Sequence, residues 1–372
     1  MEIGITGLPG AGKTVVFNAL SRAKVPVATY SAPSAEPNLA VVKVPDVRLT
    51  ALAAMYSPEK VTPAEVRYVD VAGLTQGMSA DGQATQLLAQ LRNADALLIV
   101  LRAFTSEAVA HPLGSVDPER DLEVLATELL LSDLAVAEKR LERLEKEVRH
   151  AKGSEAERQR REREHALLRA VRDAVAEGRP ARTVTLGPDD EKLLRGYGFL
   201  TLKPWLILLN TDDADADPAL LERLRARWED ASTRVAAIAG RLEMDLAELS
   251  PDEAAEFRTA WDVSEPALDR VIQLSYRLLD LISFFTVGED EVRAWTVKRG
   301  ASAVEAAAEI HTGIASAFIR AEVVSHDQLL ACGSLAEARK RGVLRSEGRS
   351  YVVQDGDVAH FLHNADKNGA KR

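Results

Sequence analysis

Gly7-Leu8-Pro9-Gly10-Ala11-Gly12-Lys13-Thr14 follows a strand-like apolar segment, Glu2-Ile5, and opens a helix-like one, Lys13-Ala23. The spacing is GxxxxGKT, in the strand–loop–helix context that a phosphate-binding loop requires. Its glycines let the backbone N–H groups from Gly7 through Gly10, Ala11, Gly12, Lys13, Thr14 and Val15 curl around phosphate oxygens. The positive end of the helix adds to the same attraction. Lys13 is placed to reach the β and γ phosphates of a nucleotide, and Thr14 to ligate Mg²⁺.

Working outward, Asp70-Val71-Ala72-Gly73 closes the apolar segment Glu65-Val71. Asp70 can hold Mg²⁺ through water, and Gly73 can offer its N–H to a γ phosphate, so that its position depends on the nucleotide bound. Together with Lys13 this predicts a GTPase-like switch rather than a nucleoside kinase, for which no acceptor pocket and general base are evident. Asn210-Thr211-Asp212-Asp213 ends another apolar segment, Trp205-Leu209, where a switch NTPase carries its base-reading loop. Guanine readers present Asn-Lys-x-Asp there, and Thr211 removes that lysine. Asp213 keeps a carboxylate suited to guanine N–H groups but ill suited to adenine N1, which is itself an acceptor. Adenine and guanine therefore both remain open. Leu74 follows Gly73 where a glutamine would orient the attacking water, so slow intrinsic hydrolysis is expected unless Gln76, Gln83 or a partner supplies that contact.

The surrounding chain of 372 residues is 46% hydrophobic and 28% charged, ordinary globular chemistry with room for two or three domains. No uncharged apolar stretch is long enough to span a membrane, and no secretory signal is visible. The formal charge of -10 does not favour nucleic acid globally, and no DNA specificity is expected. The single cysteine, Cys332, excludes an internal disulfide and a cysteine-based zinc site, which suits a reduced cytosol.

Strand candidates at Glu2-Ile5, Ala40-Val44, Glu65-Val71, Ala96-Leu101, Trp205-Leu209 and Val235-Ile238 alternate with helical segments, as in a mostly parallel sheet covered on both faces. Between Asp121 and Glu177 the texture changes. Leu130, Leu134, Ala137, Leu141, Leu144 and Val148 form a heptad seam, and Gly153-Ser154 breaks it before a second polar helix. This predicts an inserted antiparallel hairpin with a return strand at Arg182-Leu186. From Glu138 to Arg172 there are 12 Lys/Arg against 8 Asp/Glu, which fits either a solvated coiled coil or an arm that contacts a macromolecule. Beyond Phe284 a smaller module is expected, with strands at Glu291-Val297, Phe318-Val324, Tyr351-Val353 and Val358-Leu362, and one helix at Ala303-Ile310 capped by Ser302 and Glu305. The expected boundaries are 1–120 and 180–281 for the nucleotide domain, 121–179 for the hairpin, 283–366 for the module and 367–372 for a frayed tail.

Over essentially its whole length the chain resembles the YchF/Obg-like ATPase family of translation-factor-related P-loop GTPases. The resemblance rests on the P-loop, on Ser34-Ala35-Glu36-Pro37-Asn38 in switch I, and on Asp70 to Leu74. It rests further on the stretch from Asp121, and on Glu291-Val-Arg-Ala-Trp-Thr, Ile310-His-Thr, Phe318-Ile-Arg-Ala-Glu-Val and Val353-Gln-Asp-Gly-Asp-Val. It implies an α/β P-loop NTPase domain with an inserted antiparallel coiled-coil hairpin and a C-terminal β-grasp TGS-like domain. It implies slow hydrolysis of ATP, often in preference to GTP, with Mg²⁺, and cytoplasmic association with the ribosome or its RNA in translation or stress response. A nucleotide-dependent scaffold with negligible hydrolysis and a guanine-preferring GTPase are the alternatives. Lys13 and Gly73 would assist catalysis, and Leu74 would shield the γ-phosphate region. Thr14, Asp70 and Ser34 would hold the metal. Asn210, Thr211, Asp213, Ala239 and Gly240 would meet the base. The chain departs from the family at Gly10-Ala11 in place of Asn-Val, at Asp213 in place of Glu, and in the altered loop from Ser79.

Overall fold

Continuous apolar runs fold into a parallel sheet in the computed structural model, which describes residues 1–22, 25, 37–75, 77, 82–150, 154–212, 217–260 and 267–364. The chain begins β1 (Glu2–Thr6), α1 (Lys13–Ser21), β2 (Asn38–Lys43), α2 (Val47–Tyr56), β3 (Lys60–Thr62), β4 (Glu65–Asp70), α3 (Gly82–Asn93) and β5 (Ala96–Ala103). Two long helices follow, α4 (Pro118–His150) and α5 (Glu155–Ala176), then α6 (Pro188–Arg195), β6 (Trp205–Thr211), α7 (Pro218–Trp228), β7 (Thr233–Ile238), α8 (Gly240–Leu246), α9 (Pro251–Ala260) and α10 (Ala267–Leu278). The chain ends with β8 (Leu281–Thr286), β9 (Glu291–Lys298), α11 (Ala303–Ile310), α12 (Thr312–Ser316), β10 (Phe318–Ser325), α13 (His326–Cys332), α14 (Leu335–Lys340), β11 (Arg345–Glu347) and β12 (Asp357–His363).

These elements divide into two units, one made of Met1–Ala40 with Arg67–Val271, the other of Val41–Val66 with Ile272–Arg372. One six-stranded sheet has the order β2-β4-β1-β5-β6-β7, and its strands β1, β5, β6 and β7 lie wholly in the first unit. From β4 to β7 every neighbouring pair is parallel. β5 and β6 are buried along almost their whole length, as expected of strands covered on both faces. Leu97, Ile99, Leu101, Ile207 and Leu209 pack with Leu122, Leu125 and Leu129 of α4 in the main core. Farther along, α4 and α5 form the expected hairpin, joined through Ala137, Leu141, Leu144, Leu167, Leu168 and Val171. Ser154 caps α5 in a capping box with Glu157. Arg140 ties the two helices by pairing with Glu164 at 3.0 Å. The foot of the hairpin is pinned to the chain near Leu200. Asp133 of α4 is fully buried and accepts from the N–H groups of Leu200 at 2.8 Å and Thr201 at 2.7 Å.

The second unit carries a mixed sheet of order β11-β10-β12-β8-β9-β3. β3 pairs parallel to β9 with Lys60 opposite Glu291, and Arg48 of α2 bonds Asp355 at 3.1 Å. The stretch Val41–Val66 therefore belongs with the C-terminal unit rather than with the 1–120 segment expected from sequence. The capping box at Ser302 and Glu305 forms as read. Three other expectations are corrected. Residues 182–186 form no strand, because Ala181–Thr183 curls into a 3-10 turn whose Ala181 enters the core of the hairpin. Tyr351-Val353 makes only a single bridge, Val352 to Ser302, while the ladder goes to the short, charged β11. The module holds α12, α13 and α14 besides α11, started by His311, Ser325 and Ser334 as N-caps. The tail, 365–372, lies outside the described residues.

Candidate nucleotide site

The carboxyl ends of β1, β4, β6 and β7 meet at one edge of the parallel sheet, where open α/β sheets bind ligands. Gly7 sits there because the backbone of β5 leaves no room. A Cβ on it would lie 2.3 Å from the Val100 carbonyl oxygen. Gly12 is the N-cap of α1 in a left-handed conformation, with φ of 84°, and no side chain caps the helix. The first-turn N–H groups of α1 are thus left for an anion.

Lys13 is buried, and its Nζ donates to the carbonyl oxygens of Leu8 at 3.0 Å and Gly7 at 3.4 Å. Burial lowers its pKa to about 8, against the pull of Asp70. Burial likewise raises the Asp70 carboxyl, offset in part by Thr14, Lys13 and Asn38. Thr14 Oγ1 donates to Asp70 Oδ2 at 3.0 Å, so two residues 56 apart in sequence share one corner of the site. A buried ammonium and a half-buried carboxylate, each disfavoured as a charge, suit a ligand that brings phosphate and a divalent cation together.

Gly73 stands against this corner. A Cβ there would lie 2.9 Å from Lys13 Nζ, 3.0 Å from the Pro9 nitrogen and 3.2 Å from the Gly7 oxygen. Gly73→Ala should therefore displace the ammonium. We expect triphosphate affinity to fall about tenfold, roughly 1.4 kcal/mol, with the fold retained; calorimetric titration beside a thermal melt checks both. Leu74 follows Gly73. Its side chain is 1% exposed and lies in the main core with Leu8, Val71, Leu87 and Leu88, and its backbone N–H donates to Gly7 O at 3.1 Å. It anchors the segment after Gly73 in the core.

Asn210 stands near the end of β6. Its amide is engaged in the frame, Nδ2 donating to Ala11 O at 3.1 Å and Oδ1 accepting from Gly240 N at 3.1 Å. It ties the P-loop to the turn after β7, beside Ala239 at the start of α8. Thr211 donates to Ile238 O at 3.2 Å, and Asp212 accepts from Thr105. Val15 lies half-buried in the first turn of α1. Ser34, Gln76 and Asp213 lie outside the described residues, as does the side chain of Gln83. Sequence reading passed over Arg102, a buried guanidinium beside Gly10; its signal was a charged residue in the otherwise apolar run Ala96–Ala103. No cluster of three or more metal-ligating His, Cys, Asp or Glu side chains occurs among the described residues. No helix among the described residues is long and apolar enough to cross a membrane.

Comparison with known proteins agrees with this geometry. Residues 2–139 match a family described as 50S ribosome-binding GTPase, and residues 281–364 match the C-terminal YchF-GTPase family, described as of unknown function. The chain is 39% identical over 365 residues to the ribosome-binding ATPase YchF of Haemophilus ducreyi, covering 98% of this chain and 99% of that one. It is 38% identical over 369 residues to the Bacillus subtilis protein of the same name, with the same coverage. The solved YchF GTPase of Schizosaccharomyces pombe superimposes with a TM-score of 0.82 at 29% identity, over 97% of each chain. With its P-loop, its inserted hairpin and its separate C-terminal sheet, the chain belongs to the YchF family of P-loop NTPases.

Proposed function

We propose that this NTPase hydrolyses ATP or GTP slowly as a nucleotide-dependent switch acting on the ribosome. The observation that carries the reading is the 3.0 Å contact of Thr14 with Asp70 beside the buried Lys13, at the mouth of an uncapped helix. Thr14 directly and Asp70 through water would hold Mg²⁺, with Ser34 as the third group. The ion supplies charge neutralisation at the phosphates and orients their oxygens. The residues do the rest. Lys13 exchanges its carbonyl partners for phosphate oxygens, and the N–H groups of the P-loop and of Gly73 take up developing charge. Since Leu74 is locked in the core, no side chain at that position activates water, and turnover is slow without a partner.

The names of the relatives support ATP and the ribosome as substrate and partner, and contact with ribosomal RNA through the arm is part of this reading. Asp213 would set purine choice, with Ala239 and Gly240 lining the base. Paired titrations of ATP and GTP with Mg²⁺, repeated for Asp213→Glu, test it. The longer carboxylate is expected to raise the preference for ATP, and unchanged affinities for both would remove Asp213 from the base site. Phosphate release measured with and without purified ribosomes separates an activated NTPase from a scaffold with negligible hydrolysis.

A further inference from the structure

Arg102, at the end of β5, is only 3% exposed, yet among the described residues no carboxylate pairs with it. Its donors go instead to backbone carbonyls of the following loop. Nε reaches Phe104 at 3.2 Å, Nη1 reaches Val109 at 2.9 Å and Nη2 reaches Ser106 at 3.4 Å. The guanidinium also lies over the Phe104 ring, 4.7 Å from its centroid. Burying a cation among dipoles alone is costly, so the arrangement persists only where several bonds fix it. The loop so closed touches both halves of the nucleotide site. Val109 Cγ1 lies 3.0 Å from the Cβ position of Gly10, and Phe104 lies 3.5 Å from that of Gly12. At the same loop Thr105 donates from its N–H at 2.9 Å and from Oγ1 at 3.2 Å to Asp212, next to the base-reading position.

We infer that Arg102 is a positioning residue for nucleotide binding. Its planar fork folds loop 104–110 into a strut that fixes the spacing between the phosphate cradle at Gly10–Gly12 and the base loop at Asp212. The inference rests on the nucleotide-binding reading above. Lysine carries the same charge but lacks the fork, so it cannot hold three carbonyls in one plane. With Arg102→Lys the loop should populate its closed form only in part. If that population falls to about one tenth, the apparent Kd rises about tenfold.

The experiment measures Kd for Mg·ATP and Mg·GTP, and KM and kcat for hydrolysis, in wild type, Arg102→Lys, Asp212→Ala and the double variant. Each single change is expected to raise Kd and KM about tenfold and leave kcat unchanged, because Lys13, Thr14 and Gly73 are intact. The double variant should be no weaker than the weaker single one, since both release the same strut. Unchanged affinity in Arg102→Lys, an equal fall in kcat, or losses that multiply in the double variant would overturn the inference. Should Arg102→Lys fail to fold, Asp212→Ala decides alone by its KM and kcat. Wild type that binds neither nucleotide would instead overturn the nucleotide-binding reading.

Discussion

Lys13→Ala should lower triphosphate affinity by about 100- to 1,000-fold, roughly 3–4 kcal/mol, while the protein stays folded. The size follows from removing a buried cation that faces a polyphosphate, where water cannot replace it. Fold retention follows from the cost of burying that cation in the free protein. Burial holds its pKa near 8, and its bonds are only to the Leu8 and Gly7 carbonyls at the open edge of the sheet. The truncated site lets water reach those carbonyls. Calorimetric titration together with urea unfolding reads both effects, and wild-type affinity in the variant would contradict the role of the P-loop.

Asp133→Ala should produce the largest loss of stability, about 3–5 kcal/mol, as expected when one partner of a buried charged network is removed. The carboxylate accepts from Leu200 N, Thr201 N at 2.7 Å and Thr201 Oγ1 at 2.7 Å, and it faces Arg92 Nη1 at 3.4 Å. Alanine leaves these donors buried and unmatched. Asp133→Asn keeps one acceptor oxygen but turns two N–H donors toward the same donors, so it should rescue the fold only in part. A lower urea midpoint at unchanged slope is the expected record. A midpoint equal to wild type would mean that the foot of the hairpin does not depend on this carboxylate.

Asp133 also marks where sequence reading reached its limit. Leu130, Leu134, Ala137, Leu141 and Leu144 were legible as one helical seam, because their spacing is local. Asp133, one residue before Leu134, looks like a flank charge, since its partners at Leu200 and Thr201 are nearly seventy residues away. The excursion of Val41–Val66 escaped for the same reason: β3 is three residues long, and its partner strand begins at Glu291. Short strands and turns such as Ala181–Thr183 carry too little periodicity to declare themselves.

The strand–loop–helix order around Gly7–Thr14, the strand end at Asp70, the seam from Leu130 to Leu144 and the Ser302 capping box were fixed by residue type at close spacing, and these elements stand in the fold as read. Tertiary structure alone decided how the polar groups of the site divide their work. Asn210 and Asp212 hold the frame, Leu74 belongs to the core, and Arg102 closes a loop. The reason is physical. A buried polar group is defined by whichever partner satisfies it, and in this chain those partners come from strands that only folding brings side by side.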